Sequence, residues 1–226
     1  MAKNVVKFVI SEELDIKNHL IGMETYKKKL HSGAGRYEEF YKKMMPLSQE
    51  ERIAFMRKWL KPFYSGSKKK ILNEIKKETE GFWRKIEEEY FERLEKIHGQ
   101  MFSHEIVTAV LSTARRFGYS TKDHWFALSI RENKYAAVDI VMHELMHFMF
   151  HRYFWKDCEK KGLAWQQVWN IKESFTVILN LEFGDLMFGL DEGYPEHKKI
   201  RKAIEESWVK NRSFGKALEA ACLAVA

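Results

Sequence analysis

Cysteine, proline and long apolar runs are what this 226-residue chain has least of. Its two cysteines, Cys158 and Cys222, cannot build a disulfide framework and show no metal-site spacing. Free thiols in a reducing cytoplasm are the simplest reading. Only three prolines and twelve glycines interrupt the chain, which favours long helices. No stretch approaches the roughly 18 uncharged apolar residues of a membrane-spanning helix. The opening MAKNVVKFVISEE is apolar for too few residues to be a secretory signal, and acids follow at once. The sequence therefore predicts a cytoplasmic protein with no membrane partner. The closing ALEAACLAVA is short and reads as a docked final helix. No internal repeat or low-complexity segment is present.

What is present suits a globular chain. Hydrophobic residues make up 45% and aromatics 14%, enough to exclude disorder and to bury a core without staples. Lys and Arg outnumber Asp and Glu by 39 to 32, a net charge of +7. Nearly all of that excess lies in residues 1–100, with 22 basic and 16 acidic side chains. The signs are mixed within each segment, so solvated helix faces explain them, and nucleic acid is not an expected partner.

Residues 5–10 read as a short strand. A charged helical pattern follows over 15–61, with Ser48-Gln49-Glu50-Glu51 as a capping box. Pro62 and Ser65-Gly66-Ser67 mark a break. A long helix is predicted over 67–97, with Ile71, Ile75, Phe82, Ile86, Tyr90, Leu94 and Ile97 as its buried stripe. Residues 106–111 and 125–130 are strand candidates, joined by connecting structure over 115–123. Helices are predicted over 136–155, 165–190, 196–210 and 213–224.

One motif carries chemistry: His143-Glu144-Leu145-Met146-His147, an HExxH. On a helix, residues four apart share a face. That spacing lets two imidazoles bind one zinc ion at about 2.0–2.1 Å each. Zinc lowers the pKa of water toward about 7, and the Glu144 carboxylate can then take its proton. The flanking residues Asp139-Ile140-Val141-Met142 and Phe148-Met149-Phe150 make the helix apolar nearly all round. Two imidazoles and an acid inside it need a partner, and a metal ion is an economical one. The alternative is a core helix with hydrogen-bonded histidines.

This segment resembles the active-site helix of the zincin superfamily of metallopeptidases. The metzincin extension is absent, because no Gly follows and His151 comes two residues too early. The resemblance is to the gluzincin type, which implies a Glu ligand on a second helix. Glu173 is the candidate, with Asn170, Thr176 and Asn180 on its face; Glu182, Asp185 and His151 are fallbacks. Val177 stands where many gluzincins carry an acid that orients a zinc histidine, so Asn180, Thr176 or a backbone carbonyl would have to serve. The resemblance also implies an edge strand for substrate, here Ala127, Leu128 and Ser129. It implies an oxyanion donor as well: Tyr194 or His197, with Tyr153 and His151 competing.

The expectation is a mostly helical α+β chain, zincin-like, with a small sheet and an HExxH active-site helix. Residues 1–100 would form a helical portion with one early strand, and 101–226 the catalytic portion. His143, His147 and Glu173 would bind Zn2+, and Glu144 would activate water against a peptide or protein substrate. Two rivals stay open. One is a non-catalytic zincin-fold binding module that works through its basic N-terminal surface. The other is a metal hydrolase acting on a non-peptide substrate.

Overall fold

A computed structural model of the chain describes residues 5–28, 38–102, 106–114 and 118–225. The helical reading of 29–37, part of the 115–123 connection and His104 lie outside the described residues. The fold is mostly helical, with one small mixed sheet, as an α+β reading expects. No helix among the described residues is long and apolar enough to cross a membrane. The chain forms two compact units: Val5–Gly81 with Ile106–Lys134, and the described parts of Phe82–Glu105 with Tyr135–Ala226. Each unit draws residues from both sides of position 100.

The first unit holds the sheet. Its strands are β1 (Val6–Val9), β2 (Val107–Ser112), β3 (Tyr119–Ser120) and β4 (Trp125–Ser129), in the order β1-β2-β4-β3. β1 alternates, with Val6 and Phe8 buried and Lys7 exposed. β2 is flanked on both sides and is buried almost throughout, as a continuous apolar run demands. It pairs in parallel with β1, Val6 beside Val107, and with β4, Thr108 beside Trp125. β3 joins β4 antiparallel. Helices α1 (Glu12–Lys28), α2 (Glu38–Met44) and α3 (Gln49–Leu60) share a core of Ile16, Met23, Tyr41, Met44, Met56 and Leu60. The capping box opens α3 as expected: Glu51 N donates to Ser48 Oγ at 3.2 Å, and Ser48 N donates to Glu51 Oε2 at 2.8 Å.

Helix α4 (Gly66–His98) matches the long helix read from sequence, but its buried stripe differs. Leu72, Thr79, Trp83, Glu87, Tyr90, Phe91, Leu94 and His98 are buried, while Ile71 is 53% exposed. Ile75, Phe82, Ile86 and Ile97 flank the stripe. Trp83 and Phe91 bury more apolar area than the isoleucines do, and the helix turns to hide them.

The second unit contains the rest of the helices. α5 (Lys134–Tyr153) carries the HExxH and is buried nearly all round, as its sequence predicts. α6 (Trp155–Lys160) follows at once. The single helix expected over 165–190 is instead α7 (Trp165–Ser174) and α8 (Val177–Glu182). The Thr176 hydroxyl lies 2.8 Å from the Glu173 carbonyl, and Ile178 N and Leu179 N bond three residues back, which tightens the turn between them. Past Glu182, Gly184 and Asp185 leave the helix, and Arg93 takes the Asp185 carboxylate at 2.6 and 2.8 Å. A short 3-10 turn (Pro195–His197), α9 (Lys198–Asn211) and α10 (Phe214–Val225) complete the unit.

Candidate metal centre

α5 presents His143, Glu144 and His147, and α7 presents Glu173. His147 Nε2 lies 3.3 Å from Glu173 Oε2, and His143 Nε2 lies 3.9 Å from the same oxygen. One ligand atom from each of His143, His147 and Glu173 falls within 4.8 Å of the others. Bonds of about 2 Å at tetrahedral angles put ligand atoms roughly 3.3 Å apart, so this triangle is near the size a metal ion needs. The group could hold one.

The orientation of His143 is set from behind. Its Nδ1 meets Asp191 Oδ2 at 2.7 Å. A carboxylate only accepts, so Nδ1 carries the proton and Nε2 offers a lone pair to the group. Asp191 is itself held firmly. Thr176 Oγ1 lies 2.9 Å and Arg201 NH1 2.8 Å from Asp191 Oδ1, and Asn180 exchanges two bonds with the Asp191 backbone at 2.8 and 2.9 Å. Arg201 also reaches the Asp191 carbonyl. Gly193 lets the loop lie on that guanidinium: its φ is +64°, and a Cβ there would come within 2.7 Å of Arg201 NH1.

Burial alone would raise the Asp191 carboxyl, but His143 and Arg201 pull it down to about 2. Burial pushes on Glu173 in the same way, and His147 and Lys172 outweigh it and drive its carboxyl well below the usual range. Lys172 is fully buried and donates from Nζ to Glu173 Oε1 at 2.6 Å. That bond ties down one carboxylate oxygen and turns the other, Oε2, toward the histidines. Glu144 is different. It is 5% exposed, its Oε2 has no hydrogen-bond partner, and desolvation raises its carboxyl to about 7.

His143 Nε2, His147 Nε2 and Glu173 Oε2 therefore face one another, with an orphaned carboxylate oxygen on the residue next to His143. Imidazole nitrogens and carboxylates gathered away from water are held together by a shared proton or by a cation. The donor set and the orphaned oxygen both fit a bound divalent metal.

The remaining candidates are engaged elsewhere or belong to the other unit. Glu182 accepts from Trp208 Nε1 at 2.7 Å and pairs with Arg212, and Asp185 is clamped by Arg93. His151 stacks on Trp155 at 4.5 Å. Tyr153 donates to the Met101 carbonyl at 2.7 Å. His197 is buried, with Nδ1 lacking a partner, and its ring lies 5.4 Å from that of Tyr194, which is 50% exposed. Ala127, Leu128 and Ser129 are buried in β4, within the other unit. There β2 runs the full length of β4 on one side. β3 and the Gly118 carbonyl, which accepts from Ala127 N, occupy part of the other.

Asp191, Arg201 and Lys172 are functional candidates that sequence reasoning did not assign. Asp191 opens the loop in which Tyr194 and His197 were sought, and an acid in a glycine-containing loop was its only signal. No protein-family model, curated protein or solved structure matches the chain.

Proposed function

We propose that this chain is a zinc-dependent peptidase of the gluzincin type, on a zincin-like fold. The observation that carries the reading is the convergence of His143, His147 and Glu173 around a space beside an unpartnered Glu144 carboxylate oxygen. Two imidazoles and one carboxylate suit zinc better than magnesium or calcium, which prefer oxygen ligands alone. His143 Nε2, His147 Nε2 and Glu173 Oε2 would hold the ion. Zinc bound there would supply Lewis acidity, polarising a carbonyl and acidifying water.

The chain's own residues do the rest. Glu144 Oε2 takes the proton of the water that attacks the peptide carbonyl carbon and then delivers it to the amide nitrogen as the C–N bond breaks. Asp191 keeps the His143 proton on Nδ1. Lys172 keeps Glu173 on a single presented oxygen. Tyr194 and His197 remain the candidates to stabilise the oxyanion, on the loop that Asp191 anchors.

Elemental analysis of the purified protein tests the metal, with Glu173→Ala beside it. One zinc per chain, weakened in the variant, is the expected result. A zinc-free wild type after zinc is supplied would end the reading. Glu144→Gln should keep its zinc and lose about 10³-fold in turnover of a peptide library, within the range of general-base removal. Full turnover in that variant would remove Glu144 from its role.

A further inference from the structure

The polar group continues into an aromatic one along both helices. On α5 the four-residue series His143, His147 runs on to His151, and Trp155 follows four residues later at the start of α6. On α7 the same step taken backwards from Glu173 gives Trp169 and then Trp165. The two series meet in space. His151 stacks on Trp155 at 4.5 Å, Trp155 reaches Trp165 at 6.1 Å, and Trp165 reaches Trp169 at 6.4 Å. Trp169 touches His197 at 6.1 Å and lies 5.2 Å under Lys172 Nζ. The run of rings thus starts one turn from His147 and returns to one turn from Glu173.

This surface is open where other indoles are closed. Trp165 is 61% exposed, and Trp155 and Trp169 are half-buried. The other tryptophans of this unit, Trp83 and Trp208, are buried. Exposed aromatic surface gathered one helical turn from a group of metal-ligand side chains is surface that a ligand can cover. The rings also form a corner. Among the open rings, Trp155 and Trp165 meet at 59°. A corner offers a planar side chain one face and one edge, the two contacts that aromatic pairs favour.

We propose that the track of Trp155, Trp165 and Trp169 is the subsite that takes an aromatic or long apolar side chain of the peptide cleaved at the His143, His147 and Glu173 centre. The inference rests on the peptidase reading above. It adds a substrate class: peptides with a bulky apolar residue close to the scissile bond.

The test uses the full chain labelled with 5-fluorotryptophan, one sample loaded with zinc and one stripped of it. The probes are two short peptides that differ only in a central phenylalanine or glycine, and maltohexaose as a carbohydrate of similar reach. The phenylalanine peptide should move the Trp165 and Trp169 fluorine signals and bind about ten-fold more tightly than the glycine peptide. Trp165→Ala should cut that preference to about two-fold, with zinc content unchanged. Equal affinity for both peptides overturns the subsite. So do signals that move only at other tryptophans, a preference that survives Trp165→Ala, or a response to maltohexaose alone. Cleavage is read separately. Peptide-dependent shifts at Trp165 without cleavage by the zinc-loaded protein keep the subsite and remove the peptidase.

Discussion

Among the described residues, each unit buries a cluster of polar side chains. At the end of β2, Asp15, Asn18, His19, Ser112 and Thr113 are no more than 2% exposed. Asp15 Oδ1 accepts from Ser112 Oγ and from Thr113 N at 3.0 Å, and Oδ2 accepts from Thr113 Oγ1 and Tyr64 OH, both at 2.9 Å. Asn18 donates to Ser112 Oγ at 2.7 Å and accepts from Gly118 N at 2.9 Å. Donors and acceptors balance there, apart from His19 Nδ1, which has no partner. In the other unit, His143, His147 and Glu173 bring ligand atoms within 4.8 Å of one another, Glu144 Oε2 has no partner, and the Lys172 ammonium is bound to the other oxygen of Glu173. Burial of charge is common to both. The carboxylate oxygen without a donor, that of Glu144, belongs to the second, in the unit whose side chains could hold a cation.

The sharpest way to break this comparison is to unbalance the balanced cluster. Asp15→Ala leaves Ser112 Oγ, Thr113 N, Thr113 Oγ1 and Tyr64 OH without their acceptor. Loss of a buried charged hub of this kind is expected to cost about 3–5 kcal/mol in urea unfolding. Zinc stoichiometry in the folded fraction should stay at the wild-type value. A variant that unfolds at the wild-type midpoint would show that the cluster does not hold its unit together.

Asp191→Asn probes the other side at smaller scale. The amide oxygen can still accept from Arg201 and Thr176. The amide nitrogen would then face His143 Nδ1 and drive the ring proton to Nε2, where the metal lone pair should be. Zinc affinity, measured by competition with a chelating dye, should fall 10- to 100-fold, about the range for loss of such a partner. An unchanged affinity would mean that Asp191 does not set the tautomer of His143.

The legible parts of this site were the local ones. His143, Glu144 and His147 share a helical turn, so four-residue spacing alone put them together. Glu173 was reachable because Asn170, Thr176 and Asn180 mark the same face, and Thr176 and Asn180 do belong to the site, as the holders of Asp191. Asp191 itself was not assigned. Its bond to His143 spans 48 residues and is made by a loop, and no periodicity reports such a contact. Lys172 was invisible for another reason: a lysine in a helix reads as solvent-facing, and its burial here goes with its bond to Glu173. In the fold, β1, β2, β4 and most helix positions followed from pattern, whereas the two-residue β3 falls in the stretch read as connecting structure. The α4 stripe shifted because apolar spacing was counted without weighing Trp83 and Phe91 by size. The break after Ser174 is a local tightening of the turn, with Ile178 N and Leu179 N bonded three residues back, which apolar spacing does not report.

A third kind of buried imidazole sharpens the contrast. His98 is 6% exposed, its Nδ1 donates to the Leu94 carbonyl at 2.8 Å, and its ring lies 4.5 Å from Phe214 and 5.8 Å from Phe154. A neutral ring is served by that one bond, whereas a charged one would be stranded among phenylalanines, and burial pushes its pKa down to about 4. The unfolded chain, with His98 near 6.5, binds the proton more readily between these values. Stability from this residue is therefore full above about pH 6.5 and is lost as the pH falls toward about 4. At pH 5.5 the loss amounts to about 1.4 kcal/mol. Unfolding in urea at pH 7.5 and 5.5, on the wild type and on His98→Asn, isolates it, because His19, His143 and His147 titrate alike in both proteins. The wild type should lose about 1.4 kcal/mol more than the variant over that interval. Equal losses would show that His98 takes up its proton without leaving its place. The contrast among buried imidazoles would then lie only between the balanced cluster and the metal group.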